Sequence, residues 1–260
     1  MPYLQVTGLK MHYVEKGRGP DTILLVHGNV SSHEYWLRFL ELLPDTYRGV
    51  ALDLRGCGQT DHPSEGYNIP QFVEDLTLFT DYLGLNRFHL LGHSMGGQIA
   101  MLYTLRHPER VVTLGLLDSV PADGLSFLND EARAYFRVIM NDREALQQTM
   151  RNAVMPFSEG PSFADRSTEI AYSCALQCFT DNPESMYQTR FLVDVPKIKT
   201  PTLIIHGKDD AVIPLEFMVA TMKAMVDALV VIFTHCGHSP QVERPKEFAE
   251  KYLRFIAEHT

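Results

Sequence analysis

The stretch that decides the fold reads Arg87-Phe88-His89-Leu90-Leu91-Gly92-His93-Ser94-Met95-Gly96. Its apolar first half predicts a buried strand over Arg87–Leu91, and a helix pattern begins directly after the serine. A serine at such a junction needs a sharp, strained turn that leaves its Oγ protruding. Side chains two residues before and after it would collide, so the chemistry requires both flanking glycines. Ser94 is therefore the candidate nucleophile.

Outward from this stretch, β-branched runs alternate with helix-period segments. The predicted strands are Tyr3–Val6, Lys10–Val14, Thr22–His27, Arg48–Leu54, Arg87–Leu91, Val111–Leu117, Thr202–His206 and Leu229–Phe233. The predicted helices are His33–Leu43, Pro70–Leu83, Met95–Arg106, Leu215–Val226 and Pro245–His259. The first two strands are typical of an antiparallel hairpin. The remaining alternation predicts an α/β fold with a mostly parallel, eight-stranded sheet and helices on both faces.

The alternation breaks between about Pro121 and Val193, where the pattern is helical and contains no strand-like run. This stretch is too long for an ordinary connection. We expect a helical cap, residues 121–193, inserted after the sixth strand of a core domain formed by residues 1–120 and 194–260. The cap is rich in aromatic and methionine side chains, and more of them are expected in its core than in a pocket.

Composition narrows the class of partner. The 260 residues are 45% apolar and 21% charged, with a net charge of −9. That charge argues against binding nucleic acid, and no apolar run approaches membrane-spanning length. The segment Met1–Lys10 lacks the pattern of a signal peptide, so a cytoplasmic location is expected by default. Oligomeric state cannot be inferred from the sequence.

The four cysteines, Cys57, Cys174, Cys178 and Cys236, follow no zinc-like spacing. We expect buried thiols, and neither a metal nor a cofactor.

A serine nucleophile needs a base, and the base needs an orienting acid. His238 follows the last predicted strand and precedes the last helix, at the carboxyl edge of the sheet that also carries Ser94. His235 is its nearest rival. The acid is expected in Gly207-Lys208-Asp209-Asp210, where the turn favours Asp210 over Asp209. Asp118, at the end of another strand, is the alternative acid.

The developing oxyanion needs two main-chain N–H donors. Met95 follows the nucleophile at a helix N-terminus, so its amide is the first candidate. The loop after Thr22–His27 reads His27-Gly28-Asn29-Val30, and Gly28 permits close approach of the backbone. The Asn29 amide is the second candidate.

These motifs together resemble the α/β-hydrolase fold superfamily. His27-Gly28 resembles its oxyanion loop, and the run Asp53 to Thr60 resembles its Asp-x-Arg-Gly-x-Gly-x-Ser turn, with Cys57 where a histidine is common. Gly237-His238, followed by Glu243 and Pro245, resembles its base segment. The resemblance implies a Ser, Asp, His order, a site beneath the cap and no cofactor. It also favours Asp210 over Asp118.

Within that superfamily, a serine nucleophile excludes the epoxide hydrolases and haloalkane dehalogenases, which use aspartate. Esterases, lactonases and carbon–carbon hydrolases of aromatic ring-cleavage products remain. The carbon–carbon hydrolases typically have a more glycine-rich oxyanion loop than His27-Gly28-Asn29-Val30, so a small to medium apolar or aromatic ester is the favoured substrate. A ligand-sensing receptor with a slow triad is the alternative from another class.

Overall fold

A computed structural model describes residues 2–158 and 162–259. Residues 159–161 of the predicted cap, and Met1 and Thr260 of the predicted core, lie outside the described residues. Eight strands form one sheet in the order β1-β2-β4-β3-β5-β6-β7-β8. In chain order the strands are β1 Tyr3–Val6, β2 Leu9–Lys16, β3 Asp21–Val26, β4 Tyr47–Leu52, β5 Phe88–His93, β6 Val111–Leu117, β7 Thr202–Gly207 and β8 Ala228–Phe233.

Strand β1 pairs antiparallel with β2, and β2 pairs antiparallel with β4. All other pairings are parallel. The predicted eight-stranded, mostly parallel sheet is therefore confirmed. Its strand order reverses around β3, so the carboxyl ends of β3 and β5 lie side by side, where the ligand sites of such sheets form.

The described α-helices connect these strands, except for the last two, which follow β8. They are α1 Leu37–Leu42, α2 Ile69–Tyr82, α3 Met95–Arg106, α4 Asp130–Asn141, α5 Arg143–Thr149, α6 Ser162–Tyr172, α7 Gln177–Gln188, α8 Leu215–Ala224, α9 Pro240–Glu243 and α10 Pro245–Ala257. The prediction of one α-helix over His33–Leu43 is wrong for its first turn. Residues His33–Trp36 form a 3-10 turn, which the Ser32 hydroxyl caps. Sequence reasoning also missed α9. No helix in the described ranges is both long and apolar enough to cross a membrane.

The core lies on both faces of the sheet. Alternate residues of β3 enter two separate apolar clusters: Leu24 and Val26 pack with α2 and α3, whereas Ile23 and Leu25 pack with α1 and α10. All four are fully buried. Each such side chain stabilises the fold by roughly 1.5–3 kcal/mol relative to exposure. This two-sided burial explains why the strand reads as an unbroken apolar run.

Helices α4 to α7 all fall between β6 and β7, in the stretch predicted as a cap. Helix α4 is capped at its N-terminus by Asn129, whose side chain accepts a hydrogen bond from the Ala132 amide. Helix α7 lies against the core: the Ala175 amide just before it donates to the Gly56 carbonyl at 2.8 Å, and Ser185 Oγ accepts from the Ile69 amide at 2.8 Å. The last part of this segment is thus docked by hydrogen bonds to the main chain of the core.

The junction between β5 and α3 is strained. Ser94 has φ 55° and ψ −121°, a backbone conformation that residues other than glycine rarely adopt. A Cβ at Gly96 would lie 2.4 Å from the Val26 carbonyl oxygen and 2.5 Å from that of His27. The helix therefore starts in direct contact with the end of β3, and only glycine permits that approach.

We expect Gly96→Ala to destabilise the fold by about 3 kcal/mol or more, because the backbone atoms it meets cannot move aside. Gly84→Ala is the control: Gly84 has φ +66°, but a Cβ at this position would meet nothing within 4 Å. It should lose only about 1 kcal/mol from backbone strain. Urea unfolding of both variants measures the difference, and equal losses would contradict the packing argument.

Candidate active site

Hydrogen bonds to β6, to α3 and to the loop after β6 hold the main chain of Ser94. Its N–H donates to the Leu117 carbonyl at 2.9 Å, and its carbonyl accepts from the Gly97 and Val120 amides at 2.9 and 3.0 Å. These bonds balance the strained backbone, because a sparsely populated conformation persists only when its surroundings impose it. Ser94 is 8% exposed and lines a cavity.

That cavity has a volume of about 320 Å³ and brings together Ser94, His238 and Asn29. Five of the aromatic and methionine residues of the cap line it: Phe127, Tyr135, Phe136, Met150 and Met186. Others, such as Met155, Phe179 and Phe191, are buried elsewhere. Among the described lining residues there is no Asp, Glu, Lys or Arg. The cavity is mostly apolar, and its polar lining residues include Asn29, Ser94 and His238 as well as Tyr135 and Thr149.

His238 and Asp210 form a buried hydrogen-bonded pair, with 2.7 Å between Nδ1 and Oδ2. The other carboxylate oxygen accepts from the Val212 and Ile213 amides at 2.8 and 2.9 Å. Burial would raise the pKa of Asp210, but the charge and hydrogen bond of His238 outweigh it and hold that pKa below its usual range. Because Nδ1–H is donated to the carboxylate, the Nε2 atom of neutral His238 carries the lone pair.

The rival residues have other surroundings. Asp118 accepts the Gly207 amide at 2.7 Å, whereas the described hydrogen bond of the His238 ring goes to Asp210. Burial, and then the adjacent Asp210 carboxylate, raise the pKa of Asp118 well above its usual value. Asp209 is exposed, and so is His235, whose ring lies 6.1 Å from that of Phe157. The structure therefore brings His238 together with Asp210 rather than with either other aspartate.

Two residues that sequence reasoning did not assign to the site hold the main chain at His238. Glu243 accepts hydrogen bonds from the Gly237 amide at 3.0 Å and the Ser239 amide at 3.1 Å. His93 donates from Nε2 to the His238 carbonyl at 2.7 Å. His93 also contributes to the cavity wall. Burial, and then the charge of His238, lower the pKa of His93 to about 3.

The loop after β3 is oriented by His27. The Leu54 amide donates to Nε2 of His27 at 2.9 Å, which leaves Nδ1–H to donate to the Gly28 carbonyl at 2.7 Å. In a trans peptide the carbonyl and the next N–H point in opposite directions, so the Asn29 N–H is directed away from His27. Among the described residues, neither the Asn29 nor the Met95 main-chain N–H has a hydrogen-bond acceptor. A Cβ on Gly28 would lie 3.0 Å from Ser94 Cβ, so this loop touches the serine.

Two buried clusters have the composition of a metal site, but most of their carboxylate oxygens already accept hydrogen bonds from the protein. In the first, Asp53 accepts from His12 Nδ1 at 2.8 Å, from the His33 amide at 2.7 Å and from the Gln59 amide at 3.0 Å. Burial would raise the pKa of Asp53, but the hydrogen bonds and neighbouring histidines outweigh it and lower that pKa to about 2. This carboxylate organises the turn after β4.

The second cluster combines Asp118, His206 and Asp210. Asp210 already accepts from His238 and from two main-chain amides. His206 donates from Nε2 to the Ile213 carbonyl at 2.9 Å. The cluster thus serves to hold the acid of the candidate triad.

Comparison with known proteins identifies the family of this chain. Residues 23–251 match the family model described as the alpha/beta hydrolase family. The chain is 26% identical to the 2-hydroxy-6-oxo-6-(2'-aminophenyl)hexa-2,4-dienoic acid hydrolase of Metapseudomonas resinovorans, over 98% of this chain and 90% of that protein. It is 28% identical to the monoacylglycerol lipase ABHD6 of Rattus norvegicus, over 91% of this chain and 75% of that protein.

Among solved structures, a bacterial membrane phospholipase A is 31% identical to this chain, with a TM-score of 0.88. The match covers 99% of this chain and 85% of the phospholipase chain. The family match spans most of the chain. The protein therefore belongs to the alpha/beta hydrolase family.

The buried His93 generates a prediction about acid stability. A histidine whose folded pKa is depressed stabilises the fold fully above its unfolded pKa of 6.5, and this contribution is lost as pH falls toward 3. We expect the free energy of unfolding to fall by up to about 1.4 kcal/mol per pH unit from this residue alone. His93→Gln keeps an amide donor for the His238 carbonyl but cannot titrate, so its pH dependence should be shallower.

Urea unfolding at pH 7.5, 6 and 5 measures the two slopes. His62→Gln, at an exposed position, is the matched control and should follow the wild type. Parallel slopes for wild type and His93→Gln would show that His93 does not contribute.

Proposed function

We propose that this protein hydrolyses uncharged, apolar carboxylic esters through an acyl-enzyme on Ser94. The observation that carries the proposal is the convergence on one apolar cavity of a strained serine and a histidine paired with a buried carboxylate. That constellation matches the roles of a nucleophile, a base and an orienting acid.

In the proposed mechanism, Nε2 of His238 removes the Ser94 proton as Oγ attacks the ester carbonyl carbon. Asp210 holds the imidazole in the required tautomer and stabilises the imidazolium. The oxyanion accepts hydrogen bonds from the Asn29 and Met95 amides, and Met95 lies at the N-terminus of α3, whose dipole favours negative charge. His238 then protonates the departing alcohol. Water, activated by the same histidine, attacks the acyl carbonyl and releases the acid and free Ser94.

The cavity wall supports an uncharged substrate. A carboxylate placed among the described lining residues would meet no cationic side chain, and an unpaired buried charge is costly. The hydrolase of Metapseudomonas resinovorans acts on a dienoic acid, whereas the phospholipase and the monoacylglycerol lipase are lipases by name. The lining therefore favours ester cleavage over the carbon–carbon chemistry of the first relative. A volume of about 320 Å³ suits short to medium acyl chains.

We expect p-nitrophenyl butyrate and octanoate to be cleaved with a higher kcat/KM than the palmitate ester or a 2-hydroxy-6-oxo-dienoate. Ser94→Ala should abolish turnover, and Ser64→Ala, at an exposed serine, should leave it unchanged. A γ-lactone in the same panel tests the lactonase alternative. Preferential cleavage of the dienoate would overturn the ester proposal, and activity in Ser94→Ala would overturn the nucleophile.

A pair of aspartate variants tests the acid. Asp210→Asn should lower kcat by about 10,000-fold, because the amide favours the wrong histidine tautomer. Asp118→Asn should stay close to wild type, since asparagine retains an oxygen acceptor for the Gly207 amide. Steady-state kinetics on the butyrate ester distinguish the two. A large loss in Asp118→Asn with a small loss in Asp210→Asn would reverse the assignment.

A further inference from the structure

The side chain of Asn29 is bound by the cap rather than by the core. Its Nδ2 donates to the Cys178 carbonyl at 2.8 Å, and its Oδ1 accepts from Asn182 Nδ2 at 2.8 Å. A carbonyl cannot donate, so the Cys178 contact fixes the orientation of the Asn29 amide, and that in turn fixes Asn182 as a donor. The two partners lie one turn apart on α7 and are fully buried. We call this pair of hydrogen bonds the asparagine clamp.

The loop that receives the clamp cannot hold its shape by backbone preference alone. Val30, the next residue, has φ 45°, which is a strained conformation for a β-branched side chain. Strain of this kind persists only where surrounding contacts impose it. On one side, His27 orients the peptide between Gly28 and Asn29. On the other side, the contacts that hold Asn29 come from α7.

Helix α7 offers a firm anchor. Besides the Ala175 and Ser185 hydrogen bonds to the core, Gln98 Nε2 donates to the Met186 carbonyl at 3.3 Å. The Sγ atoms of Cys178 and Cys57 are 3.7 Å apart. Removing the Asn182 amide leaves all of these contacts in place. The helix should therefore stay docked while the loop loses one of its two clamp bonds.

We propose that Asn182 is a positioning residue, which sets the direction of the Asn29 main-chain N–H by holding the Asn29 side chain. This inference rests on the proposed function, in which that N–H stabilises the oxyanion. The hydrogen bond matters most in the transition state, so a misplaced donor lowers kcat and leaves ground-state binding largely intact. The cap thereby contributes to the chemistry as well as to the cavity wall.

The test uses full-length Asn182→Ala with p-nitrophenyl butyrate. We expect kcat to fall roughly 10- to 100-fold, with little change in KM. The affinity for an alkylboronic acid, which forms a tetrahedral adduct on a serine, should fall in parallel. Asn182→Asp keeps the side-chain shape, and in its ionised form it cannot donate to Asn29 Oδ1, so at a pH where the carboxylate is ionised it should lose at least as much. Asn141→Ala, at an exposed asparagine of α4, is the matched control and should behave as wild type.

A double-mutant cycle separates positioning from general loosening of the structure. If Asn182 acts through the Asn29 side chain, Asn29→Ala should reproduce the loss in kcat, and Asn182→Ala should add nothing in that background. Circular dichroism and thermal unfolding establish that the variants are folded. Additive losses, a change confined to KM, or wild-type kcat in Asn182→Ala would each overturn the clamp.

The same measurements distinguish a failure of the asparagine clamp from a failure of the proposed function. If wild type cleaves the ester, Ser94→Ala does not, and Asn182→Ala matches wild type, then the esterase proposal stands and the clamp is wrong. If wild type neither cleaves the esters nor binds the boronic acid, the proposed function is wrong and the clamp fails with it.

Discussion

The structure depends on one strained residue at the junction of β5 and α3. Ser94 adopts its rare conformation because helix α3 begins against the carbonyl oxygens at the end of β3, with only Gly96 between them. That contact aligns the ends of the two central strands. The loop bearing Asn29 then lies directly against the serine, since Gly28 leaves room for it. The sharp turn and the proposed oxyanion donors are consequences of the same close packing.

The pKa values of two buried aspartates in the candidate site shift in opposite directions. The pKa of Asp210 is lowered by His238, whereas the pKa of Asp118 is raised by burial and by Asp210 itself. His93 is kept neutral by burial beside His238. Two neighbouring aspartates cannot both ionise at low cost, which agrees with the opposite directions of their pKa shifts. Asp118 accepts the Gly207 amide.

The division between core and cap is less sharp than the linear order of elements suggests. Ser94, Asp210 and His238 follow strands of the sheet, whereas the segment between β6 and β7 supplies most of the apolar cavity wall. Yet the side chain of Asn29 is bound by α7, and Glu243 accepts the Phe157 amide of the cap segment at 2.9 Å while it holds the loop of His238. Both loops at the candidate site therefore have hydrogen-bond partners in the segment between β6 and β7.

Local sequence patterns predicted the strands, because burial on both faces leaves continuous apolar runs. They also predicted the sharp turn at Ser94, because such a turn requires glycine on both sides. The predicted acid and base could be placed at one sheet edge by topology alone. The first turn of His33–Leu43 and the roles of His93 and Asn182 could not be predicted. His93 meets His238 across 145 positions and Asn182 meets Asn29 across 153. Only the tertiary structure decided those contacts, since a buried amide or imidazole has the same sequence signature whether it fills space or orients a neighbour.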